Sequence, residues 1–65
     1  MNLMEGLCAE IDRVKEIADE YESFPNGAFA AAFMRQDIKE AEEARNNGDT
    51  VKMIFYYKKL GDYQL

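Results

Sequence analysis

The chain has 65 residues, with thirteen acidic against eight basic side chains for a net charge of −5, and 48% of it is hydrophobic. One cysteine and no histidine exclude an intramolecular disulfide and the usual Cys/His zinc sites, and no apolar run approaches the roughly 18 residues of a membrane span. A globule this short buries only about 60% of the surface its unfolded chain exposes, so tight helix packing, self-association or both must make up the rest.

The acidic residues are concentrated early. Residues 1–24 hold seven acids against two bases, while residues 49–65 hold two against three. Duplex nucleic acid needs a large basic surface, which this chain lacks. The start, Met-Asn-Leu-Met-Glu, has neither a basic region nor an apolar signal core, so a cytoplasmic setting is expected.

The first element is a helix of about residues 3–23. Met4, Leu7, Ile11, Val14, Ala18 and Tyr21 are spaced as one helical stripe, in the pattern of a coiled-coil seam. Cys8 and Ile17 flank it. Asn2 is placed to cap the start, with Glu5 three residues on, as in a capping box. Pro25 disfavours helical geometry in Phe24 and stops the helix near Ser23. Phe24-Pro25-Asn26-Gly27 then reads as a tight turn in which Asn-Gly takes positive φ, joining two antiparallel helices.

The second element is a helix of about residues 28–46. Its opening, Ala28 to Met34, is apolar all round, which predicts burial on several sides, in a core or between subunits, with Phe29 and Phe33 filling volume. Met34, Ile38, Ala41 and Ala44 continue the stripe. Arg35, Asp37, Lys39, Glu40, Glu42 and Glu43 form a charged face, with Lys39 and Glu43 as an i, i+4 pair. Asn46-Asn47-Gly48 supplies a left-handed stop.

The third element spans about residues 49–60, from Asp49 as N-cap. Val51, Met53, Ile54, Phe55, Tyr56 and Tyr57 favour a strand almost as much as a helix. Three features favour helix: the stop followed by a cap, a face of Val51, Ile54 or Phe55 and Lys58 with Met53, Tyr57 and Leu60 beside it, and Lys58 and Lys59 in the last turn. A lone strand would also have no partner in the chain. A strand would have to pair between subunits. The helix reading puts Val51, Ile54 and Phe55 in the core, with Lys52, Tyr56 and Lys59 converging on one exposed side. Residues 62–65 are a tail that docks its Tyr and Leu or frays.

Residues 33–60, with Met-Arg-Gln-Asp-Ile, Ala-Glu-Glu-Ala, Asn-Asn-Gly-Asp and Val-Lys-Met-Ile, resemble a type of short bacteriophage and prophage accessory protein. The resemblance is one of pattern and length and carries no site residues. It implies a small helical factor that binds a host protein, or sequesters a nucleotide messenger, to blunt an antiviral defence.

Catalysis finds little support. No histidine shuttles protons near neutral pH. Cys8 flanks an apolar stripe, where an inert thiol is expected. Glu40 with Glu43, and Glu16 with Glu20, share helix faces but lack the histidines of a di-metal bundle, and neither a metal nor another cofactor is expected.

The expected fold is therefore all-α, a three-helix mini-domain assembled as a homo-oligomer through Leu7, Ile11, Val14, Phe29 and Phe33. The expected function is non-enzymatic binding of a host component. Two alternatives are a nucleotide sponge, with Tyr56, Lys58 and Arg35 lining a pocket between subunits, and an assembly protein with no ligand. The residues expected to meet an anionic ligand are Arg35, Lys39, Lys52, Tyr56, Lys58 and Lys59, since ammonium groups beside aromatic faces hold a phosphate and stack a base.

Overall fold

Two long helices and one short one make up the chain, in a computed structural model that describes residues 2–65. Helix α1 spans Leu3–Glu22, α2 spans Ala28–Asn47 and α3 spans Thr50–Gly61, and no strand occurs among the described residues. The local signals act where the sequence places them. Asn2 Oδ1 accepts from the Glu5 amide at 2.8 Å, and Asp49 Oδ1 accepts from the Lys52 amide at 3.1 Å. Gly48 takes φ 65°. Around it the Asp49 amide donates to the Ala44 carbonyl at 3.0 Å and the Gly48 amide to the Arg45 carbonyl at 3.2 Å, the paired bonds of a Schellman stop.

The first turn differs from expectation. Gly27 has φ −91°, so Asn26-Gly27 makes no left-handed turn. Glycine is required there by space, because a Cβ at residue 27 would collide with the Tyr21 carbonyl oxygen. Gly27→Ala is expected to lower stability by about 3 kcal/mol or more, because the atoms it meets belong to the Tyr21 backbone and cannot swing aside. Chemical denaturation checks this, and an unchanged midpoint would mean that the turn and the end of α1 yield freely.

Helices α1 and α2 pack antiparallel, with Lys15 Nζ 3.1 Å from Glu42 Oε2 near one end and Arg35 Nη2 2.6 Å from Asp19 Oδ1 near the other. The core uses Leu7, Ile11, Val14, Ile17 and Ala18 from α1, and Ala31, Met34, Ile38, Ala41 and Ala44 from α2. The alanines let the two backbones approach closely. Leu7, Ile11 and Val14 are each at most 1% exposed. They are spent on the chain's own core and are not available for self-association, contrary to the sequence reading. No ion pair links Lys39 to Glu43 among the described residues.

Helix α3 has 12 residues against 20 for its neighbours, about 18 Å against 30 Å. It lies antiparallel to α2 and covers only the C-terminal half of that helix, opposite Asp37 to Asn47. The N-terminal half is left bare, so Phe29 and Phe33 stand 82% and 68% exposed. Of the two places their apolar setting allows, a core or a contact between subunits, the chain's own core does not take them. No helix among the described residues is long and apolar enough to cross a membrane.

Candidate functional site

Helix α3 is turned differently from its predicted register. Met53 and Leu60 are buried, and Tyr56 and Tyr63 pack against the same core. Val51, Ile54 and Phe55 are 78%, 45% and 56% exposed, and Tyr57 is 39% exposed. The stripe Met53, Tyr56, Leu60, Tyr63 is apolar or aromatic at all four positions, in the 3, 4, 3 spacing of α1. The competing stripe Val51, Phe55, Lys58, Asp62 runs into charge in its second half. Burying the first avoids desolvating Lys58 and Asp62, which decides the rotation of the helix.

Polar contacts fix this rotation. Asp37, only 4% exposed, was assigned above to the solvated face. It lies instead beneath the end of α3, where its Oδ2 accepts from the Tyr63 hydroxyl at 2.6 Å. Its Oδ1 meets Lys59 Nζ at 2.8 Å. One turn along, the Tyr56 hydroxyl donates to Glu40 Oε2 at 2.8 Å. From α1, Arg13 donates to the Leu60 and Tyr63 carbonyls at 2.9 and 2.8 Å and to Glu10 Oε2 at 2.7 Å. A guanidinium on the Leu60 carbonyl, in the last turn of α3, and on the Tyr63 carbonyl just beyond the helix ties the tail to the helix end and suits the helix dipole. The tail thus docks by Tyr63, while Leu65 stays 70% exposed.

These contacts redistribute the expected anion-binding residues. Tyr56 and Lys59 are engaged by α2 carboxylates, and Lys52 lines a recess of about 110 Å³ with Glu40, Glu43 and Asp49. The three do not converge on open solvent, because the acids of α2 face them. That recess contains neither Arg35 nor Lys58. Arg35 is held on the α1 side, its Nε and Nη2 donating to Glu22 at 3.1 and 2.6 Å and Nη2 also to Asp19 at 2.6 Å. The hydrogen bonds to Glu22 and Asp19 raise its pKa, and the Arg35 bond lowers that of Glu22. Lys39, Lys52 and Lys58 are exposed and make no ion pair among the described residues. Cys8 is half-buried, with Arg45 Nη1 3.7 Å from its sulfur.

Burial, then the hydrogen bond to Asp37, pushes the Tyr63 phenol up to about 12. Lys59 is also raised, chiefly by Asp37, and Tyr56 chiefly by Glu40. Groups with a raised folded pKa stabilise fully below their unfolded pKa and lose that contribution as pH rises through the folded one. The melting temperature is therefore expected to fall between about pH 10 and 12, and Tyr63→Phe to begin lower and fall less. A wild-type curve that is flat over this window would contradict the docked tail.

The exposed side of α3 is what the arrangement offers a partner. Phe55 is set edge-on to Tyr56 with ring centroids 5.0 Å apart. With Lys58, Lys59 and Asp62 it lines a shallow recess of about 400 Å³. Val51, Ile54 and Phe55, expected in the core, thus face solvent beside the lysines. Extending the periodicity through Tyr63 would have found the buried stripe. No family model, curated protein or solved structure matches the chain.

Proposed function

We propose that this chain is a non-enzymatic binding protein that works as a homo-oligomer in the host-cell cytoplasm. In the manner of a phage accessory factor, it blunts a host defence by occupying one of the defence components. The observation that carries the binding reading is the apolar surface left in water. Nine large hydrophobic residues are exposed among the described ones. Phe29, Phe33 and Phe55 alone present roughly 400 Å² of ring surface, taking about 200 Å² per ring. Isolated exposed apolar residues are ordinary, whereas grouped aromatic ones mark interaction sites. These three phenylalanines fall in two places, the bare half of α2 and the outer face of α3. Two faces suit a protein that meets both itself and something else. The phage-type reading rests on the sequence resemblance.

Native mass spectrometry of the protein purified from host cells tests this function. The expected species has at least twice the 7.5 kDa mass and carries a further host polypeptide. Phe29→Ser with Phe33→Ser is expected to remove one of the two partners while circular dichroism stays helical, since both residues are mostly solvated. A bare monomer that leaves phage plating unchanged in a defended host would overturn the proposal. A retained ultraviolet-absorbing nucleotide would favour the sponge in its place.

A further inference from the structure

We infer that the outer stripe of α3, Val51–Phe55–Lys58–Asp62, is a contact between two copies of this chain, packed antiparallel about a two-fold axis. The inference rests on the self-association reading above and replaces the residues first expected to carry it.

The spacing of the stripe is 4, 3, 4, which reads the same in both directions. Antiparallel helices crossing at a shallow angle keep such a stripe in contact along its length. An axis midway between Phe55 and Lys58 sets Phe55 of one copy opposite Lys58 of the other, and Val51 opposite Asp62. Each Phe55 ring, 56% exposed, then lies under the stem and ammonium of a lysine, an arrangement favourable in both its apolar and its cation–π parts.

Charge fixes the direction. Lys52 and Asp62 are both exposed, and neither makes an ion pair among the described residues. Lys52 borders the recess of α2 acids, and its long stem lets the ammonium turn from there toward a second copy. In the antiparallel register Lys52 falls about 1.5 Å along the axis from Asp62 of the second copy, once at each end of the contact. A parallel pairing would set Lys52 against Lys52 and Asp62 against Asp62. The stripe is thus self-complementary only in the sense that a closed two-fold dimer requires. The Phe29 and Phe33 pair, flanked on its helix by Ala32 and Gln36, carries no charge to set a register. It is left for the other partner.

The size of the contact sets its strength. Val51, Ile54, Phe55 and the lysine stems offer roughly half of the ~800 Å² per partner of a standard interface. Burying only about 800 Å² in total, less than a standard interface, the dimer is expected to be weak and to dissociate at roughly tens to hundreds of micromolar.

Sedimentation over that range, with circular dichroism on each variant, tests the contact. Lys52→Glu and Asp62→Lys are each expected to weaken the dimer at least tenfold, and the double variant to restore most of it. Both changes respect the dipole of α3, an acid in its first turn and a base at its last, so the helix should persist. Val51→Glu, also in the first turn, is expected to leave a folded monomer. Restoration by the double variant is the decisive result, because damage to the fold would add rather than cancel. If the wild type dimerises and these variants do so equally, while Phe33→Glu does not, self-association stands and the α3 contact is overturned. A wild type that is monomeric throughout overturns both.

Discussion

Leu60→Ala is expected to cost about 2–5 kcal/mol, the range for truncating a fully buried leucine where the surroundings collapse only partly. A domain of this length holds on the order of 3–10 kcal/mol in all, so the variant should be largely unfolded or should release α3 from the hairpin. The position explains the size of the effect. Leu60 is 0% exposed, and of the α3 helix itself only it and Met53 are buried. Arg13 grips its carbonyl, so a loosened Leu60 also loosens the end of the helix. Val51→Ala is the matched control. At 78% exposed, Val51 should change monomer stability by no more than about 0.5 kcal/mol. Urea unfolding at a concentration below dimer formation compares the two. Equal losses would mean that α3 is rotated relative to the register described here.

The unequal treatment of these two residues shows where periodicity is informative. The α1 stripe from Leu7 to Ala18 and the α2 stripe from Met34 to Ala44 were legible because each runs over about three turns opposite a largely charged face, although Met4, the predicted first member in α1, is 42% exposed. The Met34, Ile38, Ala41, Ala44 row is buried to within 4%. In α3 two stripes look alike over the first turns, Met53 with Tyr56 against Val51 with Phe55, and part only at Lys58, Asp62 and Tyr63. The choice depends on where Lys58 and Asp62 can stay solvated and on partners far away in sequence. Arg13 reaches Tyr63 across fifty residues, and local pattern does not encode that contact. The exposure of Phe29 and Phe33 was illegible for a different reason. An apolar-all-round segment is normally covered, and its bareness here follows from α3 being shorter than α2, a property of the assembled hairpin. The stop at Gly48 and the caps at Asn2 and Asp49 were legible because their bonding is local.

Asp37→Ala is expected to cost about 2–3 kcal/mol, which is large for a polar position on a helix that looks solvent-facing in sequence. The carboxylate is 94% hidden as a side chain and serves two partners, the Tyr63 hydroxyl and Lys59. Alanine leaves a part-buried hydroxyl without its acceptor and removes the only described ion pair joining α2 to α3. Lys59 is itself 46% exposed as a side chain and can turn to water, which keeps the loss below that of a fully buried pair. Asp37→Asn separates the contributions. Its amide oxygen can still accept from Tyr63 while the charge that attracts Lys59 is gone, so it should lose less, about 1 kcal/mol. Trimming of residues 62–65 by a carboxypeptidase should accelerate strongly in Asp37→Ala and mildly in Asp37→Asn. Because Asp62 belongs to the stripe assigned to the dimer, Asp37→Ala should also weaken self-association without touching the contact itself. A variant with a freed tail and an undiminished dimer would show that Asp62 needs no docked tail to reach its partner. A variant with unchanged stability and an undisturbed tail would show that the buried carboxylate is not what holds α3 in place.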